Sequence, residues 1–508
     1  MRVFLVGAGP GDPGLVTLRA AECLGRADLV LYDYLVNPQI LALAPEKAER
    51  ISLGRHGQGK LWTQQEINQT LVAEGRAGRT VVRLKGGDPA VFGRLPEEAH
   101  ALAEARIPFE IVPGITAALA AASYAAIPLT DRDKASAVAL VTGHEGDEKS
   151  GEAIDYAALA KFPGTLVFYM GVTTASVWSH ALMAGGRAGD TPAIIVRRVS
   201  WPQQQSIRCR LDEVAGLLDQ TRPDKIRPPA IVIVGEVASV DPSLEWFNHR
   251  PLFGRKILVT RAADQAGVLR GRLAELGADV LVQPAIEIAP PEDWRPVDAA
   301  LARLSEFHWV VFSSTNGVRS FMERLWHFGD VRLIAHAKLA AIGPGTAAEL
   351  ALWKLKADLS PVEFRAEGLV EHLADALKCH AGPGQPRVLL VRASRGRETL
   401  GAGLSEAGAL VEEVVAYQST NVAHADPAVA KALSAAEIDW VTVTSSAIAR
   451  SLATMFGEEL KKTKLASLSP VTSGTLRELG FEPAAEAKHY TMDGVTEAIL
   501  AAEGSKPR

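Results

Sequence analysis

Short runs of valine, isoleucine and leucine alternate along the chain with longer stretches rich in alanine, leucine and glutamate. Apolar runs of strand length bounded by glycine, proline or aspartate read as buried strands, and the longer amphipathic stretches read as helices. In the first half this pattern predicts strands at residues 3–6, 29–32, 81–84, 138–141, 166–169, 193–196 and 231–234. Thr63-Gln-Gln-Glu66 has the spacing of a capping box and opens a helix. Strand and helix alternate throughout, which places the chain in the α/β class. Past Gly235 the pattern breaks. Residues 239–254 carry Pro242, Pro251, Trp246, Phe247 and Phe253, a connection whose aromatics predict that it packs on something and does not swing free.

The second half repeats itself. Ile257-Leu-Val-Thr-Arg261 resembles Leu389-Leu-Val-Arg392, Val310-Val-Phe-Ser-Ser-Thr315 resembles Val441-Thr-Val-Thr-Ser-Ser446, and Ile342-Gly-Pro-Gly-Thr346 resembles Val471-Thr-Ser-Gly-Thr475. The copies lie about 130 residues apart, the size of one domain. Two similar α/β lobes are expected, with a cleft between them as the natural place for a ligand.

Composition narrows the classes. The 508 residues imply two to four domains. Hydrophobic residues make up 47%, charged residues 22%, and the net charge is −5, a balance that gives no general affinity for nucleic acid or membranes. Cys23, Cys209 and Cys379 are far apart, which argues against a thiolate zinc site and fits a reducing compartment. No apolar run is long enough to span a bilayer, and a cytoplasmic location is expected.

The first apolar run ends in Gly7-Ala-Gly-Pro-Gly-Asp-Pro13. A dinucleotide turn needs glycine at the place Asp12 holds, and a phosphate loop needs a Gly-Lys-Ser/Thr ending that is absent. Pro10 and Pro13 remove two backbone donors, so the turn is either a plain βα connection or one shaped for a ligand that is not a phosphate. Further loops follow at Lys85-Gly-Gly-Asp-Pro-Ala-Val-Phe-Gly-Arg94, Val112-Pro-Gly-Ile-Thr116 and Ile127-Pro-Leu-Thr-Asp-Arg132. Singly each is a turn; their order is specific.

With Tyr32-Asp33, Thr142-Gly-His144 and Tyr169-Met-Gly171, that order resembles the tetrapyrrole methyltransferases, and within them the uroporphyrinogen-III C-methyltransferases, over residues 1–240. The resemblance implies two sub-domains, about 1–113 and 114–240, with S-adenosylmethionine between them, and a homodimer formed through this half. It implies cofactor contacts at Pro10, Gly86, Gly87, Asp88, Val91, Thr116, Ala117, Met170 and, through its backbone, Val199. It implies Asp33 as the proton acceptor, Arg94 as a catalytic group, and Glu97 and Arg132 as substrate contacts. Uroporphyrinogen carries eight carboxylates, for which guanidinium forks are suited. Arg55 stands where the family has a lysine proton donor; arginine is a poor acid, so Arg55 reads as a substrate contact. Asp131 replaces a histidine, and Leu95-Pro96 replace two glycines.

From about Gly254 the chain resembles uroporphyrinogen-III synthase, on Val259-Thr-Arg261, Ser313-Ser-Thr-Asn-Gly-Val318, Ala416-Tyr-Gln-Ser-Thr420 and the C-terminal Val441-Thr-Val-Thr-Ser-Ser446 with Ser469-Pro-Val-Thr-Ser-Gly474. That resemblance implies residues 241–253 as linker and 254–508 as a synthase with discontinuous lobes, one of about 254–284 plus 420–508 and the other about 285–419. It implies Tyr417 as the group that assists loss of hydroxyl from hydroxymethylbilane, with no metal or organic cofactor. Helix N-termini suit carboxylates, which makes Ser313, Ser314, Thr444, Ser445, Thr472 and Ser473 substrate-binding candidates; helix capping is the other reading of each. Arg261 and Arg392 occupy equivalent places and are expected to face the cleft. Together the halves imply closure of hydroxymethylbilane to uroporphyrinogen III and its double methylation to precorrin-2. Two alternatives stay open: a later corrin acceptor for the first half, and a non-catalytic ligand-binding role for the second. The failed fingerprint at Asp12 argues against a nucleotide-dependent oxidoreductase.

Overall fold

A computed structural model of the chain describes residues 2–54, 61–145, 154–223, 225–239, 241–361, 366–378, 384–395 and 399–504. The chain divides into two compact units, Met1–Gly254 and Arg255–Arg508. Each holds two five-stranded sheets.

In the first unit, strands β1 (Val3–Gly7), β2 (Leu29–Tyr32), β3 (Glu49–Ser52), β4 (Val81–Lys85) and β5 (Phe109–Val112) form a parallel sheet in the order β3-β2-β4-β1-β5. Its inner strands are buried on both faces, the condition under which parallel strands become continuous apolar runs. Strands β6 (Val138–Thr142), β7 (Thr165–Tyr169), β8 (Pro192–Arg197), β9 (Gln205–Arg210) and β10 (Ala230–Val234) form a mixed sheet, β6-β7-β10-β8-β9, parallel only between β6 and β7. The segment after β10 belongs to this unit. Phe247 packs against Tyr124 and Phe253 at centroid distances of 4.7 and 5.6 Å, Trp246 Nε1 donates to Ser123 O (2.9 Å), and Arg208 pairs with Glu245 (2.9 Å).

In the second unit, β11 (Lys256–Val259) and β12 (Asp279–Val282) join strands from the far end of the chain. The other strands are β13 (Ile286–Ala289), β14 (Trp309–Phe312), β15 (Lys338–Ala341), β16 (Arg387–Ala393), β17 (Leu410–Asn421), β18 (Trp440–Val443), β19 (Lys464–Ser467) and β20 (Ala485–Glu486). The first lobe is β12-β11-β18-β19-β20, all parallel; the second is β13-β17-β16-β14-β15, with β13 antiparallel. The orders superpose as β12/β17, β11/β16, β18/β14 and β19/β15, which is the internal repeat in three dimensions.

The repeat corrects one alignment read from sequence. After β15 come Ile342, the helix N-cap Gly343 and Pro344; after β19 come Leu468, the N-cap Ser469 and Pro470. Ile342-Gly-Pro therefore matches Leu468-Ser-Pro, three residues earlier than the match to Val471-Thr-Ser. The Gly-Thr ending is shared by composition alone, whereas proline at the first helical position is the physical marker of the turn.

Candidate functional site

In the first unit the loops leaving the carboxyl ends of β1, β4 and β5 meet, where ligands bind to parallel α/β sheets. Gly9 and Gly87 exchange both backbone hydrogen bonds (Gly9 N to Gly87 O 3.1 Å, Gly87 N to Gly9 O 2.8 Å), which sets the Pro10 turn against the Gly86-Gly87-Asp88 loop. A Cβ on Gly114 would lie 2.3 Å from Gly87 O and 2.8 Å from Gly7 Cα, and one on Gly7 would lie 2.6 Å from Gly114 Cα and Gly87 O, so Gly7 and Gly114 must both be glycine for the three backbones to meet. Asp88 fastens the third loop: Oδ2 accepts from Gly114 N (2.9 Å) and Oδ1 from Ala90 N (2.7 Å). Both Asp88 oxygens thus shape the pocket from within.

The second sheet supplies the opposite wall. Tyr169 OH lies 2.7 Å from Thr116 Oγ1 and accepts from Ala118 N (2.9 Å), and the Tyr169 and Phe92 ring centroids are 5.0 Å apart. Burial pushes the Tyr169 hydroxyl's pKa above its ordinary value. Met170 follows it, half exposed, with φ 53°. Left-handed backbone recurs at Phe92, Arg94, Arg198 and Ser200, a clustering of strained residues typical of ligand sites. Ser200 Oγ accepts from Asp12 N (3.0 Å) and Trp201 Nε1 donates to Pro10 O (3.2 Å), bringing the loop that carries Val199 against the first turn. Pro10, Gly86, Gly87, Asp88, Val91, Thr116, Ala117 and Met170 therefore lie on one set of interlocked loops. Asp12, unexpected in a glycine turn, accepts from Gly14 N (2.8 Å) and Tyr124 OH (2.8 Å), which makes it a cap and an anchor.

Asp33 follows β2, and its Oδ1 is 2.6 Å from Arg83 Nη2. Arg83 Nε and Lys85 Nζ both reach Glu98 Oε1, at 3.1 and 2.7 Å. Burial opposes the charge of both cations. Asp33 and Glu98 outweigh it at Arg83, whose pKa is raised, while burial and Arg83 leave the Lys85 pKa lowered. The sequence does not show this cluster, because it joins a strand to a helix and no local spacing encodes the contact. Arg94 and Glu97 face each other as a two-point ion pair (2.8 and 2.7 Å) on the surface. Arg132 is exposed, and the neighbouring Asp131 Oδ1 accepts from Asp133 N and Lys134 N, a turn-closing role that explains aspartate there. Arg55 lies outside the described residues.

In the second unit the cleft between lobes is crossed by a line of polar contacts. Tyr417 OH is 3.0 Å from Ser314 Oγ, and Ser314 caps the Thr315–Phe328 helix through Gly317 N. Asn316 in that helix bonds Gln265 of the other lobe, and Gln265 Oε1 accepts from Arg261 Nη2 (2.9 Å). Arg319 adds an ion pair to Asp264 across the same gap (2.6 Å). Arg261 is largely buried against Met492, with no carboxylate at ion-pair distance among the described residues, and burial lowers its guanidinium's pKa. Burial raises the pKa of the Tyr417 hydroxyl, against the pull of Ser314 and Asn316. Four helices point their N-termini from strand ends: Thr315–Phe328 after β14, Pro344–Leu352 after β15, Ser446–Phe456 after β18 and Pro470–Glu478 after β19.

Several expected contacts sit elsewhere. Thr472 and Ser473 lie inside the Pro470–Glu478 helix, 2% and 0% exposed, and Ser473 Oγ bonds Ser467 and Glu486, so neither side chain is offered to a ligand. The N-cap is Ser469, legible as serine before proline. Arg392 is held by Glu413 and by Ala393 O, a paired cation unlike Arg261. Ser445 caps its helix through Ile448 N (3.2 Å), with Thr444 before it, and Ser313 Oγ donates to Val391 O (3.1 Å). Among the described residues no helix is long and apolar enough to cross a membrane, and no group of three or more metal-ligating side chains occurs.

Two candidate small-molecule sites stand out, one on the carboxyl edge of a parallel sheet and one between paired lobes. Residues 2–215 match the family model for Tetrapyrrole (Corrin/Porphyrin) Methylases, and residues 267–497 match Uroporphyrinogen-III synthase HemD. The Porphyrin biosynthesis protein HemD of Ruminiclostridium josui is 35% identical over 494 residues, 96% of this chain and 94% of that protein. The Uroporphyrinogen-III C-methyltransferase of Bacillus subtilis (strain 168) is 37% identical over 354 residues, 68% of this chain and 71% of that protein. A solved uroporphyrin-III C-methyl transferase from Thermus thermophilus, complexed with S-adenyl homocysteine, is 41% identical, covers 47% of this chain and 100% of that one, and has a TM-score of 0.41. The chain belongs to the tetrapyrrole-biosynthesis proteins that join a tetrapyrrole methylase to a HemD-type uroporphyrinogen-III synthase.

Proposed function

We propose that the chain closes hydroxymethylbilane to uroporphyrinogen III in its second unit and methylates that product twice to precorrin-2 in its first. The observation that carries the reading is the presence of both sites in one chain, since the product of one is the acceptor of the other. S-adenosylmethionine is the methyl donor; when bound it supplies an electrophilic methyl on a cationic sulfur. The interlocked loops fit that group. Their glycines leave backbone open for close approach, the loop acids Asp12 and Asp88 are engaged internally, and Met170 offers a soft, apolar side chain beside them.

Positioning carries much of the acceleration, because the acceptor carbon must lie in line behind the methyl. Asp33 takes the proton that the tetrapyrrole loses. Arg94 and Arg132 meet the carboxylate rim, where arginine forks are suited; Arg94 exchanges Glu97 for substrate. In the second unit Arg261 and the four helix N-termini hold the curled polyanion, and Tyr417 donates to the departing hydroxyl. The first unit pairs with a second copy, a reading that light scattering checks. Two titrations test the function: calorimetry with S-adenosylhomocysteine, which should bind where NAD does not, and kinetics with uroporphyrinogen III as methyl acceptor. Binding without methylation would leave a later corrin as the acceptor.

A further inference from the structure

We propose that Arg83, Glu98 and Lys85 form a buried charge chain that orients the Asp33 carboxylate as proton acceptor. This rests on the Asp33 reading above. Strand β4 lies in the middle of a parallel sheet, where apolar residues are the rule, yet it buries two cations. Arg83 and Lys85 are two residues apart and so share a face, the one that meets Glu98 from the Leu95–Glu104 helix. Arg83, Lys85 and Glu98 are 4%, 3% and 0% exposed, while the Asp33 side chain keeps 31%. The chain is therefore sealed at three members and open at one, on the sheet edge that carries the ligand loops.

Glu98 Oε1 is the shared acceptor of Lys85 and Arg83, and Arg83 donates to both carboxylates. Lys85 Nζ and Gln64 Nε2 (3.4 Å) hold Glu98, Glu98 takes Arg83 Nε, and Leu84 O takes Arg83 Nη1 (3.2 Å). A planar guanidinium fixed at two nitrogens has a fixed third, and that third, Nη2, meets Asp33 Oδ1. The Asp33 main chain is fastened as well, its N–H donating to Leu84 O (3.2 Å). Lys85 is also the residue before Gly86, and its carbonyl accepts from Ala8 N (2.8 Å). The strand thus aims the proton acceptor and seats the loops for the methyl donor. Two buried ion pairs are a poor means of stabilising a sheet that apolar residues would stabilise as well. Glu98 Oε2, buried with no partner among the described residues, is a further cost that stability alone does not explain.

The test uses the full chain carrying Asp33→Asn, Arg83→Lys or the charge-balanced pair Lys85→Met with Glu98→Gln. Uroporphyrinogen III methylation, S-adenosylhomocysteine affinity and synthase activity are measured on each. Arg83→Lys keeps the charge and loses the fork. The expected result for it and for the pair is a kcat lowered about tenfold or more with KM changed less than about twofold, the pattern of a group acting at the chemical step. Binding of S-adenosylhomocysteine stays intact in at least one of the two. In the Asp33→Asn background the same replacements cost less than about twofold further, because coupled residues are non-additive. Unchanged kcat with a lowered melting temperature, or equal losses with and without Asp33, overturns the chain. Full activity in Asp33→Asn alone overturns the reading of Asp33 itself, and is distinguishable because it needs no change at Arg83.

Discussion

The Tyr169 hydroxyl, 2.7 Å from Thr116 Oγ1, joins the two sheets of the first unit at their shared wall. It also accepts from Ala118 N at the start of the Ala117–Tyr124 helix. Tyr169→Phe leaves that buried donor unpaired, at a cost of about 1–3 kcal/mol. Because Thr116 makes one of the two contacts and Ala117 lies between them, part of that cost falls on the cofactor pocket. Calorimetry should record S-adenosylhomocysteine affinity lowered about three- to tenfold; unchanged affinity would detach Thr116 and Ala117 from the cofactor.

Gly114→Ala tests the packing of three backbones. The added Cβ would stand 2.3 Å from Gly87 O, and no flexible side chain can yield there. Overpacking of this kind costs about 1–3 kcal/mol. The expected result is a lower melting temperature together with S-adenosylhomocysteine affinity lost by more than about tenfold, with synthase activity retained. Normal cofactor affinity would mean that the Gly87 loop is not part of the pocket.

Tyr417→Phe tests the synthase site and its pH dependence. Burial raises the hydroxyl above its ordinary value of 10.0, so its protonated form persists through neutral and mildly alkaline pH and is lost only above that value. Type III product should form about tenfold more slowly in the variant, as expected for removal of a general acid. The ratio of wild-type to variant rates should stay constant from about pH 6 to about pH 9, below the onset of ionisation. A ratio that closes within this range contradicts proton donation by Tyr417.

Ser469 and Ser473 separate a cap at the cleft from a residue in the core. Ser469→Ala removes the cap of the Pro470–Glu478 helix, worth about 1 kcal/mol, and weakens a substrate-facing N-terminus, so KM for hydroxymethylbilane should rise. Ser473→Ala disturbs the bonds to Ser467 and Glu486 inside the lobe, lowering the melting temperature with KM unchanged. Steady-state kinetics beside thermal unfolding distinguishes them; a KM effect confined to Ser473→Ala would reverse the assignment.

The α/β class and the inner strands are legible because apolar runs mark burial. Residues 81–84 and 231–234 predict β4 and β10 to within a residue. The strands left unread in the first half are β3, β5 and β9, which stand at sheet edges and carry sequences such as Glu-Arg-Ile-Ser and Gln-Ser-Ile-Arg-Cys-Arg. Edges keep polar residues, which blunts the apolar signal. In the site, glycine loops are legible because backbone approach demands a residue type. The Arg83–Glu98 contact is not, since it joins strand to helix and no local spacing encodes it. Ser469 was legible from its proline, while Ser473 looked alike in composition and points inward.

The most direct test of the two-step account is one incubation of the purified full chain with hydroxymethylbilane, with and without S-adenosylmethionine. Products are read by isomer-resolving chromatography and mass spectrometry. The account predicts the type III isomer without the donor and a dimethylated product with it. The type I isomer alone, as expected of uncatalysed closure, would contradict the synthase assignment; type III that is never methylated would contradict the acceptor assigned to the first unit.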